Sequence, residues 1–112
     1  MHEFGIARDL LREIDSKLKS GEKPERIVIV IGKAAGIDRK YLEHSFKEHI
    51  FPERRWENVE IHFEEEEPAL SCRTCGEKFT EIESISCPSC GGKNLDILSG
   101  NRVYVKSVSS KS

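Results

Sequence analysis

The chain has no apolar run able to cross a bilayer. Its longest, Ile27 to Ile31, falls far short of a spanning length. Its first residues, Met-His-Glu-Phe-Gly, carry an acid early and no apolar signal region. Basic charge is not in excess either. Eighteen Lys and Arg face 20 Asp and Glu, a formal net charge of −2, which argues against a surface built for duplex nucleic acid. Catalytic constellations are missing too. No Ser/His/Asp set or paired-acid arrangement stands out, and Gly32-Lys33 lacks the upstream glycine and the following Ser or Thr of a phosphate-binding loop. These absences point to a cytoplasmic protein that is not an enzyme and engages neither membrane nor nucleic acid.

Cysteine is scarce, and its placement is the strongest feature present. All four cysteines fall in one stretch, Cys72, Cys75, Cys87 and Cys90, as two Cys-x-x-Cys pairs. That spacing is the signature of a tetrahedral four-thiolate zinc site. Gly76, Gly91 and Gly92 follow the pairs and suit the tight turns such a site needs, and Pro88 stiffens the second turn. Two disulfides are the competing reading, and they require an oxidising compartment. A thioredoxin-like redox pair is another, but that chemistry uses one such motif at a helix start. Four thiolates close the coordination sphere, so a zinc here holds structure and catalyses nothing.

Elsewhere the chain reads as a small α+β fold. Ala7, Leu10, Leu11, Ile14 and Leu18 recur at helical steps between charged residues, which predicts an amphipathic helix ending near Ser20-Gly21. Arg26 to Gly32 is β-branched at five consecutive positions and predicts a strand covered on both faces or lying beneath helices. Asp38 is a candidate N-cap for a second helix, with Tyr41 or Leu42, Phe46, His49 and Ile50 facing inward and Pro52 stopping it. Val59, Ile61 and Phe63 alternate with polar residues as a half-buried strand. Glu64 to Glu67 reads as a solvated strand end leading out of the domain. Lys78 to Ile82 is a candidate ribbon strand, Gly100-Asn101 a turn, Val103 and Val105 a last strand, and Val108 to Ser112 a frayed tail.

The expected architecture is therefore a three-stranded sheet with two helices and an inserted zinc ribbon. The α+β domain takes residues 1–69 and 99–112, and the ribbon takes 70–98. The remaining histidines read as surface or partly buried residues. His44 and His49 are five apart, which on an α-helix separates them by about 140° and denies them a shared face. His62 falls on the outer face of a strand.

Met-His-Glu at the start, the opening amphipathic helix, and Cys-x-x-Cys followed by Cys-Pro-x-Cys before a final strand resemble the HypA/HybF hydrogenase nickel-incorporation proteins. The likeness covers essentially the whole chain. It implies a nickel metallochaperone in which His2 binds Ni(II), assisted by Met1 and Glu3, while Cys72, Cys75, Cys87 and Cys90 bind structural Zn(II). It implies two partners, a nickel-binding maturation GTPase and the large subunit of [NiFe] hydrogenase, with urease as a further destination in some members. Gly32-Lys33-Ala34 departs from the Gly-Glu-Leu-like stretch that many members carry after the first strand. The residue chemistry agrees with nickel at the start of the chain. A histidine at position two offers its ring nitrogen beside backbone nitrogens that close chelate rings, and deprotonated amides suit square-planar or tetragonal Ni(II) and Cu(II). Glu3 can add a carboxylate or orient the ring. The sequence permits a monomer or a weak homodimer. The alternative class is a zinc-ribbon module for nucleic acid or a transcription complex. Against it, the ribbon sets Arg73, Lys78 and Lys93 beside Glu77, Glu81, Glu83 and Asp96, and its aromatic content is Phe79 alone.

Overall fold

A computed structural model describes residues 3–80 and 86–110. The stripe of α1 (Glu3–Lys17) buries Ala7, Leu10 and Ile14 completely or nearly so. After a turn at Gly21, whose φ of 84° is left-handed, the chain enters β1 (Pro24–Gly32). This is the central strand of a sheet ordered β2-β1-β6, in which β2 (Glu60–Glu66) runs parallel to β1 and β6 (Val103–Ser110) antiparallel. Ile27, Ile29 and Ile31 point into one core with α1 and the second helix, joined by Val105 from β6. Val28 and Val30 point the other way and are still buried, at 8% and 5% exposure, between the flanking strands. Both positions of the apolar run are thus covered, as its composition demands.

The second helix runs from Arg39 to Arg54 in three registers: α2 (Arg39–His44), a π-helical stretch (Ser45–Ile50) and α3 (Phe51–Arg54). Asp38 caps it, accepting a 2.9 Å hydrogen bond from the Lys40 N–H. Leu42, Phe46 and Ile50 face the core. Tyr41 and His49, the other inward candidates, are exposed. Pro52 does not stop the helix. In α spacing its ring would meet the carbonyl four residues back, but the preceding turn is widened, with the Phe51 N–H reaching the Phe46 carbonyl, and this makes room for it. The helix ends at Arg55, which takes a left-handed φ of 58° while the Trp56 N–H closes onto the Phe51 carbonyl. The Arg54 guanidinium forks onto Asp15 at 2.8 and 2.9 Å, tying α3 to the end of α1, and lies 5.2 Å from the Trp56 ring centre.

The last strand is longer than its apolar residues indicate. Ser109 and Ser110 pair with Arg26 and Pro24, Val108 packs against the core, and Ser110 Oγ donates to Glu22. Backbone bonding to β1 holds a segment whose side chains alone suggested fraying.

Between β2 and β6 the chain leaves to build a second, antiparallel sheet ordered β4-β3-β5. Its strands are β3 (Ala69–Cys72), β4 (Lys78–Phe79) and β5 (Leu95–Ser99). Of the candidate strand from Lys78 to Ile82, the first two residues form β4, Thr80 has no regular structure, and the remainder lies outside the described residues. The two connecting segments cross beside the end of β1. Gly32 N–H bonds the Arg102 carbonyl and Ala34 N–H bonds the Gly100 carbonyl, each at 2.8 Å. A methyl group on Gly32 would sit 2.2 Å from the Gly100 oxygen, and one on Gly100 would sit 2.4 Å from Pro68 Cα. Both glycines are required by close backbone approach, and Gly100 also by its φ of 81°.

The acidic run is solvated, with Glu64, Glu65 and Glu67 exposed and Glu66 half-buried, and it also braces this crossing. Glu66 accepts from the Gly100 N–H and the Tyr104 hydroxyl, at 3.1 and 2.8 Å. Glu67 pairs with Lys33, and Glu64 with Lys106 at 3.0 Å. The hydrogen bond to the Glu66 carboxylate, with burial and that negative charge, raises the Tyr104 phenol above its ordinary pKa.

Gly32→Ala should destabilise the protein by about 2 kcal/mol or more in chemical denaturation, because backbone must move. Gly5, a helical glycine with nothing within 4 Å of its absent Cβ, should respond oppositely, gaining about 0.5–1 kcal/mol as Gly5→Ala.

Candidate metal centre

The two Cys-x-x-Cys segments fold into turns of the same pattern. In the first, the Gly76 N–H bonds the Cys72 carbonyl and the Cys72 N–H bonds the Glu77 carbonyl. In the second, the Gly91 N–H bonds the Cys87 carbonyl and the Cys87 N–H bonds the Gly92 carbonyl. Gly76 and Gly91 take φ of 78° and 74°, which a side chain would strain. The leading cysteine of each turn, Cys72 or Cys87, is buried, while the trailing one, Cys75 or Cys90, is exposed. The first turn grows out of β3 and the second leads into β5, so the β3–β5 ladder fixes their separation. Arg73 reinforces it, donating to Asp96 at 2.8 Å from Nε while its backbone N–H bonds the Asn94 carbonyl.

All four sulfurs lie within 4.8 Å of one another. Cys72 and Cys90 approach to 3.6 Å, as do Cys75 and Cys87. A disulfide would bring two sulfurs to about 2.05 Å, so neither contact is a bond. Four thiolates about 2.3 Å from a tetrahedral zinc have their sulfurs about 3.8 Å apart, and the observed cluster fits that figure. The electrostatics of the free thiols fit as well. Backbone N–H donation, led by Cys75, lowers the Cys72 thiol to about 6. Cys75 is pushed up to about 12. Donation near Glu77 favours its thiolate, but contact with Cys87, burial and the other two sulfurs outweigh it. Cys90 is also raised, despite donation from the Gly92 N–H, chiefly by contact with Cys72. Without a cation the cluster resists a second and third negative charge, and a divalent ion removes that resistance. Among the described residues no other group of three or more potential ligands comes together.

The N-terminal candidates are less visible. Met1 and His2 lie outside the described residues, and Glu3 is described only as the first residue of α1, without its side chain. The first half of α1 borders a cleft in which Ile6, Asp9 and Glu13 face Ala35–Ile37 and Asn101–Val103. That end of the body adjoins the crossing to the second sheet. His62 is exposed on β2, with Nε2 3.7 Å from Glu60. His44 and His49 do share a face. Their ring centres lie 5.3 Å apart at an interplanar angle of 76°. A π turn takes roughly four and a half residues, so residues five apart return to the same side, where α geometry would separate them. Spacing alone carries no signal of this, because the register change is set by core packing around Phe46 and Ile50.

Comparison with known proteins is consistent across the whole chain. Residues 1–110 match a sequence-family model described as HypA, hydrogenase/urease nickel incorporation, metallochaperone. A hydrogenase maturation factor HypA from Aquifex aeolicus (strain VF5) is 31% identical over 114 residues, covering 96% of each chain. One from Chlorobium phaeobacteroides (strain BS1) is 30% identical, over 96% of this chain and 97% of that one. The solution structure of the Ni metallochaperone HypA from Helicobacter pylori superimposes with a TM-score of 0.74 at 23% identity, covering 98% and 97%. At that identity the likeness speaks for the fold. No helix among the described residues is long and apolar enough to cross a membrane.

Protein purified without added metal should contain about one zinc per chain, measured by mass spectrometry of the metals. Cys72→Ser should lower that content and loosen the second sheet while β1, β2, β6 and the helices persist. Because protons must leave Cys75 and Cys90 for an ion to bind, zinc retention against a chelator should rise with pH and fall on acidification.

Proposed function

The chain belongs to the HypA family of hydrogenase/urease nickel-incorporation metallochaperones, and from that membership we propose that its nickel is held at the first residues, with the His2 imidazole as principal ligand. The protein is a metallochaperone of hydrogenase maturation and not an enzyme. Nickel is its cargo and zinc its structural metal.

Met1 and Glu3 assist His2, the first through the adjoining backbone and the second through its carboxylate. Zinc is bound by Cys72, Cys75, Cys87 and Cys90. The observation that carries this reading is the family match from residue 1, which takes Met-His-Glu and both cysteine turns into one matched span. The start of α1 supports it further. The helix begins at Glu3, so a ligand one residue earlier is tethered to a packed element. Few protein ligands suit an ion that must be passed on.

The division of labour follows the two sheets. Residues 1–69 and 99–112 form the nickel-binding α+β domain, and 70–98 the zinc ribbon. The partners are a nickel-binding GTPase, which supplies the hydrolysis this chain has no residues for, and the hydrogenase large subunit. Urease is a further destination that the family name admits. Unbridged cysteines are consistent with a cytoplasmic location. The nucleic-acid reading loses ground, because Arg73 is engaged by Asp96.

His2→Ala should abolish the tight nickel-binding event in a calorimetric titration of zinc-loaded protein, with zinc content and circular dichroism unchanged. Nickel affinity of the parent should weaken as pH falls, since the imidazole must be neutral to bind. Equal affinity in His2→Ala and the parent would refute the assignment.

A further inference from the structure

We propose that His44 and His49 form a second, open site for one first-row divalent transition-metal ion, independent of the N-terminal nickel motif. His44 closes α2 and His49 lies in the π-helical stretch that follows; both are exposed and far from the four cysteines in sequence. Their separation is the one a shared ion requires. An imidazole nitrogen binds Zn2+ at about 2.0–2.1 Å, which puts the ring centre about 3.2 Å from the ion, so two rings at a tetrahedral angle have centres about 5.2 Å apart. The observed 5.3 Å agrees, and the 76° angle between ring planes lets a nitrogen of each ring turn toward one point. Neutral imidazole pairs favour zinc, nickel and copper over magnesium or calcium. Two protein ligands leave the remaining positions to water or to a donor from another molecule, so the ion is held exchangeably.

The π register is what makes the pair. It is anchored from beneath by Phe46 and Ile50, at 0% and 3% exposure, and from above by the αR residues that continue into α3. π turns inside α-helices are frequent at functional sites, because the inserted register re-aims side chains. Lys47 is drawn toward Glu43, 3.4 Å away on the preceding turn.

The test uses the zinc-loaded full chain carrying His2→Ala, so that failure of the N-terminal assignment and failure of this site are read separately. Nickel sulfate is titrated calorimetrically while the histidine ring protons are followed by NMR. One equivalent should still bind, more weakly than the N-terminal event that His2→Ala removes, and the ring signals of His44 and His49 should broaden together while those of His62 persist. His44→Ala and His49→Ala should each weaken this binding roughly tenfold or more, the order of loss that a disturbed ligand shell gives. Both side chains are exposed, so circular dichroism should not change. Absence of heat and broadening in the His2→Ala chain, or binding that survives both alanine variants, would overturn the proposal.

Discussion

Everything in this fold depends on where the chain crosses beside the end of β1. The strand is flanked by β2 and β6, and both of those run directly into the second sheet. The sheet of the α+β body therefore has no edge that is independent of the zinc module. At the crossing, three backbones pass within van der Waals contact, and only glycine at 32 and 100 lets them do so. Hydrogen bonds from Gly32 and Ala34 onto Arg102 and Gly100 use the approach that the missing side chains allow. Glu66, Glu67 and Lys33 then seal the junction from its polar side. Ion pairs this exposed contribute little individually, so the close backbone contact and its hydrogen bonds set the geometry.

Much of this was legible in the residues. An α-helical stripe repeats with a period that few alternatives reproduce, and the stripe of α1 buries the positions its spacing marks. Two Cys-x-x-Cys pairs with trailing glycines constrain their own turns, and those turns form as spaced, with both glycines at positive φ. β-branching along Ile27–Ile31 named the central strand. The Asp38 cap needed only its side chain and the next turn. In each of these cases the determining contacts lie within a few residues of one another.

What the residues did not reveal depends on contacts far apart in sequence. Pro52 is a helix stop by local sterics, yet the register of the turn before it removes the clash. The same register change brings His44 against His49. No local rule signals it, because it follows from how Phe46, Ile50 and Phe51 fit under the helix. The tail beyond Val108 reads as polar and loose, but its backbone completes the ladder with β1. The acid run is solvated as it reads, but its partners Lys33, Tyr104, Lys106 and Gly100 stand on three other segments. For the nickel site, recognition outran geometry. Met-His-Glu carries meaning through likeness to a family, and Met1 and His2 lie outside the described residues.

The meeting of Pro68 with Gly100 has a consequence for how such a chain can vary. A segment whose two ends touch is already a closed loop before anything inside it folds. Lengthening it costs only the slow logarithmic growth of loop entropy, about 0.6 kcal/mol for each doubling. The body sees the same two anchor points whatever lies between them. Residues 69 to 99 can therefore grow, shrink or be re-sequenced while β1 keeps both neighbours, provided the two glycines remain. The ribbon is in this sense a replaceable cassette on a fixed socket.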